Sequence, residues 1–355
     1  MFLLKKLLCT AILALGVIML MTVGAYAQMP KDKIALQGED SFKAEMFNEF
    51  SDTIEDNALY VATTGIDSNT GTIDKPFATV QKALDTVKAG QTIYVRGGTY
   101  NALNTFKTSG SEGKYITLRN YPNETPFLTC TTGTDGAILH LNGCNYIKIY
   151  GLEIGGHSAE KAYGILLDDC ENHIVISNNH IHNLLTTKPG ENENGEANGI
   201  LLFGEGKTDE TSINNICIEN NNIHNNTTGW SETLSTSGNC KYVNVINNTV
   251  HDNTNIGIDF YGNAKYCTVP AYDQPRYCVA AGNTVYNSIC SYAECAGLYL
   301  DGARDTIFEN NIIYGSMYGI EIGSEELQAD YPVKNVIVRN NLVYKNSCGG
   351  IRVGG

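Results

Sequence analysis

The sequence lacks several features that would indicate common classes of protein. It has no Cys-x-x-Cys pair, which argues against zinc. After Val23 it has no apolar run long enough to cross a membrane. Basic residues are in the minority, with 24 Lys and Arg against 38 Asp and Glu, and neither sign is gathered in blocks. A nucleic acid is therefore not expected as a partner, and an acidic polymer would need a cation or a local group of Arg and Lys.

The N-terminus has the pattern of an export signal. Lys5 and Lys6 precede the apolar run from Leu7 to Val23, and Ala25-Tyr26-Ala27 is a small-x-small cleavage site. We expect a signal peptide at 1–27 and a secreted mature chain that begins at Gln28 and does not contact a membrane. An uncleaved anchor is the alternative, because the apolar run is nearly long enough to span a bilayer.

The cysteines leave two interpretations open. Without Cys9 the chain retains an even number of them, as expected for an exported protein with disulfides. Cys267 with Cys278, and Cys290 with Cys295, would each close a short loop. Thiols buried between stacked coils are an equally good interpretation.

A repeated asparagine pattern runs through the second half of the chain. Each Asn follows a β-branched run, and the second and third residues after it are Ile or Val and then His or Tyr. The asparagines are Asn179, Asn221, Asn248, Asn283, Asn311 and Asn341, spaced by 27 to 42 residues. Uneven spacing is typical of a solenoid whose coils carry loops of different length. Each Asn is predicted to lie at a bend between two strands, where stacked amides can hydrogen-bond along the axis.

A second column follows from the same repeat. It contains the aromatic residues three positions after each Asn: His182, His224, His251, Tyr286, Tyr314 and Tyr344. Because the periodicity alone accounts for these histidines, we interpret them as an aromatic stack on the coil surface rather than as catalytic groups.

A further strand, led by glycine, opens each coil. These strands begin at Gly164, Gly199, Gly257, Gly297, Gly319 and Gly350, and an additional coil passes through 234–237. The first and third residues after the glycine are apolar, whereas the second and fourth are mixed, so a period of two points the first set inwards. The sequence therefore predicts an all-β fold, a right-handed parallel β-helix.

Both ends of this solenoid carry further signals. The segment from Lys75 to Leu84 has apolar residues at helical spacing, which predicts a short N-terminal capping helix. We expect a polar linker or loose arm at 28–57 and the β-helix at 58–355. Because Gly350 to Gly355 begins a new coil without a cap, we expect the solenoid to be truncated at its C-terminal end. An end covered by a dimer interface is the alternative, and otherwise we expect a monomer.

The segment from Tyr60 to Tyr100, with the asparagine coils behind it, resembles secreted β-helix proteins of the pectate-lyase-like superfamily, especially family 9 polysaccharide lyases. The resemblance extends from Tyr60 to the C-terminus and implies the fold and a carbohydrate setting. Family 9 lyases hold calcium with a cluster of aspartates and use a nearby Lys as base. The closest string here, Gly195 to Ile200, lacks those aspartates and no Lys follows it. The family's catalytic residues are therefore not transferred to this chain.

Charge gathers at the outward positions of the last coils. We predict catalytic roles for Asp259, Asp301, Glu321 and Arg352, with Ca²⁺ bound by the three carboxylates, and substrate contacts from Phe203, Tyr261, Arg276 and Tyr299. With coils about 4.8 Å apart, Asp259 and Glu321 should stand about 9 to 10 Å apart, with Asp301 on the coil between them. A solvated face of unrelated charges is the alternative interpretation.

Three functions fit this predicted groove. The first is a secreted polysaccharide lyase that acts by β-elimination on a uronate-containing polysaccharide, with Ca²⁺ neutralising the uronate and Arg352 or Arg276 as base. The second is a glycoside hydrolase with a carboxyl pair at the separation of inverting enzymes. The third is a carbohydrate-binding or adhesive protein without catalysis. We favour the lyase, and a polysaccharide is the expected partner in all three.

Overall fold

The structure is a computed structural model that describes residues 35–39, 42–43, 53–169, 171–190, 195–326 and 328–354. The predicted signal peptide at 1–27 lies outside the described residues. Within these ranges, no helix combines the length and the apolar character that a membrane crossing requires.

The described chain is built almost entirely of short strands. Its elements are β1 (Leu59–Val61), α1 (Val80–Leu84), β2 (Thr92–Val95), β3 (Gly98–Asn101), β4 (Asn104–Phe106), β5 (Ile116–Asn120), β6 (Pro126–Thr129), β7 (Gly136–Leu141), β8 (Ile147–Tyr150), β9 (Glu153–Ala159), β10 (Lys161–Leu167), β11 (Asn172–Ser177), β12 (His180–Thr186), β13 (Glu196–Gly204), β14 (Ile213–Glu219), β15 (Asn222–His224), β16 (Leu234–Gly238), β17 (Cys240–Ile246), β18 (Thr249–Asn253), β19 (Ile258–Tyr261), β20 (Val279–Ala281), β21 (Thr284–Ser288), β22 (Ala296–Asp301), β23 (Ile307–Glu309), β24 (Ile312–Tyr314), β25 (Tyr318–Gly323), β26 (Ile337–Arg339), β27 (Leu342–Tyr344) and β28 (Gly349–Val353).

These strands stack into three parallel sheets. Sheet A runs β1-β2-β5-β8-β11-β14-β17-β20-β23-β26, sheet B runs β4-β7-β10-β13-β16-β19-β22-β25-β28, and sheet C runs β3-β6-β9-β12-β15-β18-β21-β24-β27. Each coil passes through sheet A, then sheet C, then sheet B, before the chain rises to the next coil. This arrangement confirms the predicted parallel β-helix with three strands per coil.

The core follows the predicted alternation of side chains. In the glycine-led strands of sheet B, the inward residues Ile258, Phe260, Leu298 and Leu300 are completely buried in one continuous apolar cluster. Inward residues of sheets A and C belong to the same cluster, so the three sheets share a single core along the axis.

The asparagine ladder is confirmed, and it stabilises the bend between sheets A and C. The side chain of Asn248 donates to Asn283 Oδ1 at 3.1 Å and accepts from Asn221 Nδ2 at 3.0 Å, and the same contact links Asn311 to Asn341 at 2.9 Å. Each ladder Asn follows a residue in the left-handed region, such as Asn247 at φ 56°. Asn tolerates this conformation well, which explains the frequent Asn-Asn pairs in the sequence.

Helix α1 forms where the sequence predicts a helix. The Thr79 side chain caps its first turn by accepting from the Lys82 backbone N–H at 3.2 Å, and Val80, Ala83 and Leu84 are buried in the core cluster. The helix contacts β1, β2 and β4. Its role as a cap over the end of the solenoid stays a prediction.

The N-terminal arm packs on the outside of sheet A in the part that the structure describes. Phe42 is buried against Val175, Cys217 and Ile246, which point outwards from that sheet. Asn244 accepts from the Gln37 backbone N–H at 2.9 Å and donates its side-chain amide to the Gln37 carbonyl at 2.7 Å. These residues are therefore anchored on sheet A, whose outward apolar side chains offer them a surface to cover. The linker or arm expected over 28–57 stays a prediction.

The cysteines that the structure describes are thiols. Most of them are buried, among them Cys144, Cys240 and Cys278, which belong to the core cluster. Cys290 and Cys295 lie in one loop with their Sγ atoms 3.1 Å apart. Thiols stacked between coils therefore account for the core cysteines, and pairing within the loop of Cys290 and Cys295 stays a prediction.

The last strand leaves apolar side chains in solvent. Ile351 and Val353 of β28, predicted to point inwards, are 56% and 78% exposed. The expectation of a truncated solenoid stays a prediction.

Candidate active site

The outer face of sheet B brings the predicted catalytic residues into register. Asp259 of β19 pairs with Tyr299 of β22, Tyr299 with Glu321 of β25, and Glu321 with Arg352 of β28. Asp301 follows Tyr299 by two positions on the same strand and lies opposite Gly323. We call this surface, with the neighbouring Glu232 and Glu325, the carboxyl groove.

The floor of the carboxyl groove is buried. Asp259 is 1%, Asp301 2%, Tyr299 3% and Glu321 5% exposed. These outward positions are therefore covered by neighbouring side chains and loops and are not open to solvent. Ile256, Ala296 and Tyr318 pack against the Tyr299 ring. The loop after β25 also closes over the floor, since the Glu325 backbone N–H donates to Asp301 Oδ1 at 2.8 Å.

Two acidic residues of the carboxyl groove were missed by the sequence analysis. Glu232 lies just before β16 and is half-buried, and Glu325 lies just after β25 and is exposed. Both carry charge close enough to raise the pKa of Asp259. Acidic residues in the loops at the two ends of the sheet B strands were the signal that could have identified them. Glu232 was harder to place, because its coil lacks the leading glycine that marks the other coils.

Burial and mutual repulsion favour protonated carboxyls in this groove. Burial raises the pKa of Asp301 to about 7, and the charges of Glu325 and Glu321 add to the effect. Burial, followed by the charges of Glu232 and Asp301, raises the pKa of Asp259 well above its usual value. Burial also raises the pKa of Glu321, against the lowering effect of Arg352. At neutral pH the cluster thus holds protons, or it requires a cation to balance the ionised form.

One carboxylate oxygen of Asp259 lacks a hydrogen-bond donor among the described residues. Its Oδ1 atom is buried and has no hydrogen-bond partner there. A buried carboxylate oxygen in this condition is costly unless a proton or a cation meets it. Carboxylate oxygens are the ligands that Ca²⁺ prefers. The predicted set of Asp259, Asp301 and Glu321 does not bring one oxygen from each within 4.8 Å of the others among the described residues, so a Ca²⁺ ion held by Asp259 and Asp301 stays a prediction.

Arg352 is ion-paired on both sides. Its guanidinium contacts Glu294 and lies 3.3 Å from Glu321 Oε1, and it sits over the Tyr318 ring at 4.9 Å from the centroid. The hydrogen bond to Glu294 and the charge of Glu321 raise the pKa of Arg352 further. Arg352 is thus suited to stabilising negative charge and not to accepting a proton, which corrects its predicted role as base.

Arg276 is engaged within the protein. Its guanidinium donates to Asp209 Oδ1 at 2.7 Å and to Asn239 Oδ1 at 2.9 Å, and the residue is buried. Because its guanidinium is already engaged by Asp209 and Asn239, the predicted substrate contact and base role of Arg276 are corrected to a structural role. The sequence analysis missed this because Asp209 comes from a distant loop.

Aromatic side chains stand beside the carboxyl groove. The Phe203 ring lies 4.6 Å from that of Tyr266, and the Tyr261 ring meets Tyr266 edge-on at 5.5 Å. Phe203 and Tyr261 were predicted substrate contacts, and Tyr266 joins them from the loop after β19. All three are half-buried and offer partly exposed ring surface of the kind that packs against sugars.

Comparison with known proteins finds relatives of this chain that share its β-helix. Residues 59–352 match the family model described as Pel9A-like, right handed beta helix region. The chain is 34% identical over 312 residues to YwoF of Bacillus subtilis (strain 168), which is described as uncharacterized, covering 84% of this chain and 64% of YwoF. It is 30% identical over 175 residues to pectate lyase PEL9 of Emericella nidulans, covering 45% of this chain and 37% of that protein. It is 26% identical over 338 residues to pectate lyase L of Paenibacillus polymyxa, covering 89% and 66%. The matched part of the chain thus spans between 37% and 66% of the length of these relatives.

Solved structures share the fold at low sequence identity. The complex of XylC with xylose superposes with a TM-score of 0.59 at 13% identity, covering 82% of this chain and 66% of that one. Pectate lyase Pel9A superposes with a TM-score of 0.54 at 14% identity, covering 80% and 77%. At these identities the likeness concerns the fold alone.

Proposed function

This chain belongs to the Pel9A-like right-handed beta-helix family, and from that membership we propose that it is a secreted polysaccharide lyase acting on a uronate-containing polysaccharide. Its reaction centre is the carboxyl groove. The observation that carries the proposal is the buried Asp259 Oδ1, which has no hydrogen-bond partner within the described part of the chain and lies among carboxyls of raised pKa on one face of sheet B. Two of the relatives named above are pectate lyases, which favours β-elimination.

In this reaction four residues of the carboxyl groove have assigned roles. Asp259 and Asp301 would hold Ca²⁺, which when bound would neutralise the uronate carboxylate and acidify the neighbouring C–H. Glu321, whose raised pKa makes it a stronger base, takes that proton. The adjacent C–O bond of the glycosidic linkage breaks, a C=C bond forms in the sugar ring, and the leaving oxygen takes a proton from water. Arg352 stabilises the negative charge that develops on the uronate.

Glycoside hydrolysis is the second candidate, and a specific observation favours it. Asp301 has a pKa near 7, and a neutral carboxylic acid at this pH can protonate a glycosidic oxygen. Glu321 on the next coil would then activate a water molecule. This reaction requires no cation, which separates it from the lyase.

One screen tests the proposal. The chain is incubated with pectate, alginate, glycosaminoglycans and xylan, with Ca²⁺ or with a chelator, and both ultraviolet absorbance and reducing ends are followed. The lyase produces absorbing unsaturated uronides, and the chelator abolishes them. New reducing ends without absorbance would overturn the lyase in favour of the hydrolase. If no polymer gives either signal, the lyase is overturned in favour of a carbohydrate-binding protein.

Matched variants assign the reaction to the carboxyl groove. Asp301→Asn and Glu321→Gln keep the shape of these buried side chains, and each should lower turnover by at least about a hundredfold. Asp168→Asn is the control, because Asp168 occupies the same outward column as Asp301 in an earlier coil and pairs there with His140 at 2.8 Å. Full turnover in both groove variants would overturn the groove assignment.

A further inference from the structure

Four histidines and a glutamate meet on the outer face of sheet C, a different face from the carboxyl groove. His180 of β12 pairs with Glu153 of β9, and His182 pairs with His224 of β15, which in turn pairs with His251 of β18. The expected aromatic stack is confirmed here, because His182 and His224 stack at 5.5 Å and His224 and His251 at 4.8 Å between ring centroids. His180 was not part of that prediction, and it adds a further imidazole that contacts His224.

The ring nitrogens of these residues converge. His180 Nε2 lies 2.6 Å from His224 Nε2, and His182 Nε2 lies 3.0 Å from Glu153 Oε1. The ligand atoms of Glu153, His180 and His182 all lie within 4.8 Å of one another. In the absence of an ion, one of the two Nε2 atoms carries the proton and donates to the other. A metal ion would instead accept the lone pairs of both nitrogens, with each ring protonated on Nδ1.

We propose that Glu153, His180, His182 and His224 bind one divalent transition-metal ion, with Zn²⁺ as the representative. Three imidazoles and one carboxylate are a common ligand set for such an ion, which takes four ligands in a tetrahedron. The site requires no Cys-x-x-Cys motif, so the absence of that motif excludes only the cysteine type of zinc site.

His224 lies outside the group of three residues whose ligand atoms are all within 4.8 Å of one another, and it joins that group through its contact with His180. With Zn–N bonds of about 2.0 to 2.1 Å, two nitrogens of a tetrahedral site stand about 3.3 to 3.4 Å apart. The two Nε2 atoms at 2.6 Å must therefore separate by less than about 1 Å. The exposed ring of His180 is free to make this movement, whereas His182 and His224 are held in the stack.

A neighbouring amide can orient one of the imidazoles. The Asn183 side-chain amide lies 3.0 Å from His182 Nδ1 and can turn its oxygen to accept from that nitrogen, which would direct Nε2 towards the ion.

His251 is excluded from the ligand set by its own partners. Its Nε2 contacts Asn222 Oδ1 at 3.0 Å and its Nδ1 contacts Asp252 Oδ2 at 2.7 Å. This residue supplies a matched control, because the next two coils carry Tyr286 and Tyr314 in the same column and stack in the same way. A His→Tyr substitution in this column therefore keeps the aromatic stack and removes only the imidazole.

The test is calorimetric titration with Zn²⁺ of the chain produced without a polyhistidine tag. The expected result is one ion per chain, a higher Tm with Zn²⁺, and no comparable response to Mg²⁺ at the same concentration. His224→Tyr and His180→Asn should each weaken Zn²⁺ binding by at least about tenfold, and His251→Tyr should not. Far-ultraviolet circular dichroism checks that each variant keeps its β-structure.

Two outcomes would overturn the site. One is the absence of saturable Zn²⁺ binding by the parent chain. The other is equal affinity of the parent, His224→Tyr and His251→Tyr, which would place the ion elsewhere. As a second readout, Co²⁺ in place of Zn²⁺ should give the visible absorption of a tetrahedral site, and this signal should be lost in His180→Asn. Neither readout depends on enzymatic activity, so the result is independent of the proposed lyase.

Discussion

Asp301 shows how burial changes the chemistry of a single residue. Its pKa is raised to about 7, mainly by burial, whereas an aspartate in an unfolded chain titrates near 3.9. Between these two values the folded protein retains a proton that the unfolded chain has released. The contribution of Asp301 to the free energy of unfolding therefore decreases as the pH rises from about 4 to 7, because at this residue the native state binds more protons in that window.

Replacing Asp301 with Asn should remove this decrease in the free energy of unfolding. In the presence of a chelator, Asp301→Asn should exceed the parent at pH 8 by on the order of 2 kcal/mol in free energy of unfolding. At pH 4, where the parent carboxyl is protonated in the folded state, the difference should be small. Denaturant unfolding at the two pH values measures both. Asp168→Asn is the control and should bring no gain at pH 8; an equal gain in both variants would contradict the burial argument.

The glycine near the start of most strands of sheet B shows a constraint at the scale of the element. It is needed where the strand approaches sheet C, and not for an unusual φ. A Cβ atom on Gly297 would lie 2.3 Å from Ile313 Cγ2 of β24 and 3.0 Å from the Gly319 carbonyl oxygen. In the last coil the same position is relaxed, since a Cβ on Gly350 would meet Val343 Cγ1 at 3.9 Å.

This contrast predicts the effect of adding a methyl group. Gly297→Ala should destabilise the protein by about 1 to 3 kcal/mol, because β22 or β24 must move to relieve the contact. Gly350→Ala should change the free energy of unfolding by less than about 0.5 kcal/mol. Thermal unfolding of the two variants beside the parent measures the difference. A Tm for Gly297→Ala equal to that of Gly350→Ala would show that the sheets tolerate the closer approach.

At the scale of the whole molecule, the three outer faces of the solenoid carry different sets of residues. Sheet A carries apolar residues that the N-terminal arm covers, sheet B carries the carboxyl groove, and sheet C carries the proposed histidine site. Because all three faces are outward positions on one stacked core, each can change its chemistry without disturbing the inward residues of the coils.

At this scale Ca²⁺ should act on the stability of the complete chain. Binding to the ionised carboxyl groove relieves the repulsion between its carboxylates, so millimolar Ca²⁺ should raise the Tm at pH 8. The increase should be smaller at pH 5, where protons occupy the same oxygens. A thermal melt at each pH, with Ca²⁺ or with chelator, provides the measurement. Asp301→Asn should lose the response, and a Ca²⁺ response that this variant retains would place the cation outside the groove.

The sequence by itself determined the fold, because a solenoid repeats local rules. The ladder from Asn179 to Asn341 and the alternation after each leading glycine depend only on residues within one coil and on the coils stacked beside it. These signals also predicted that Asp259, Tyr299 and Glu321 share a column. Stacked strands keep such residues in register whatever the length of the loops between them.

Only the tertiary structure decided the properties of the sites, because they depend on loops that carry no repeat. The burial of Asp259 and Asp301, the approach of Glu232 and Glu325, and the engagement of Arg276 by Asp209 all arise where irregular segments fold over the coils. The convergence of His180 with His224 is likewise a matter of side-chain direction between neighbouring columns. Periodicity predicts which face a residue occupies, but burial, pKa and pairing depend on what covers that face.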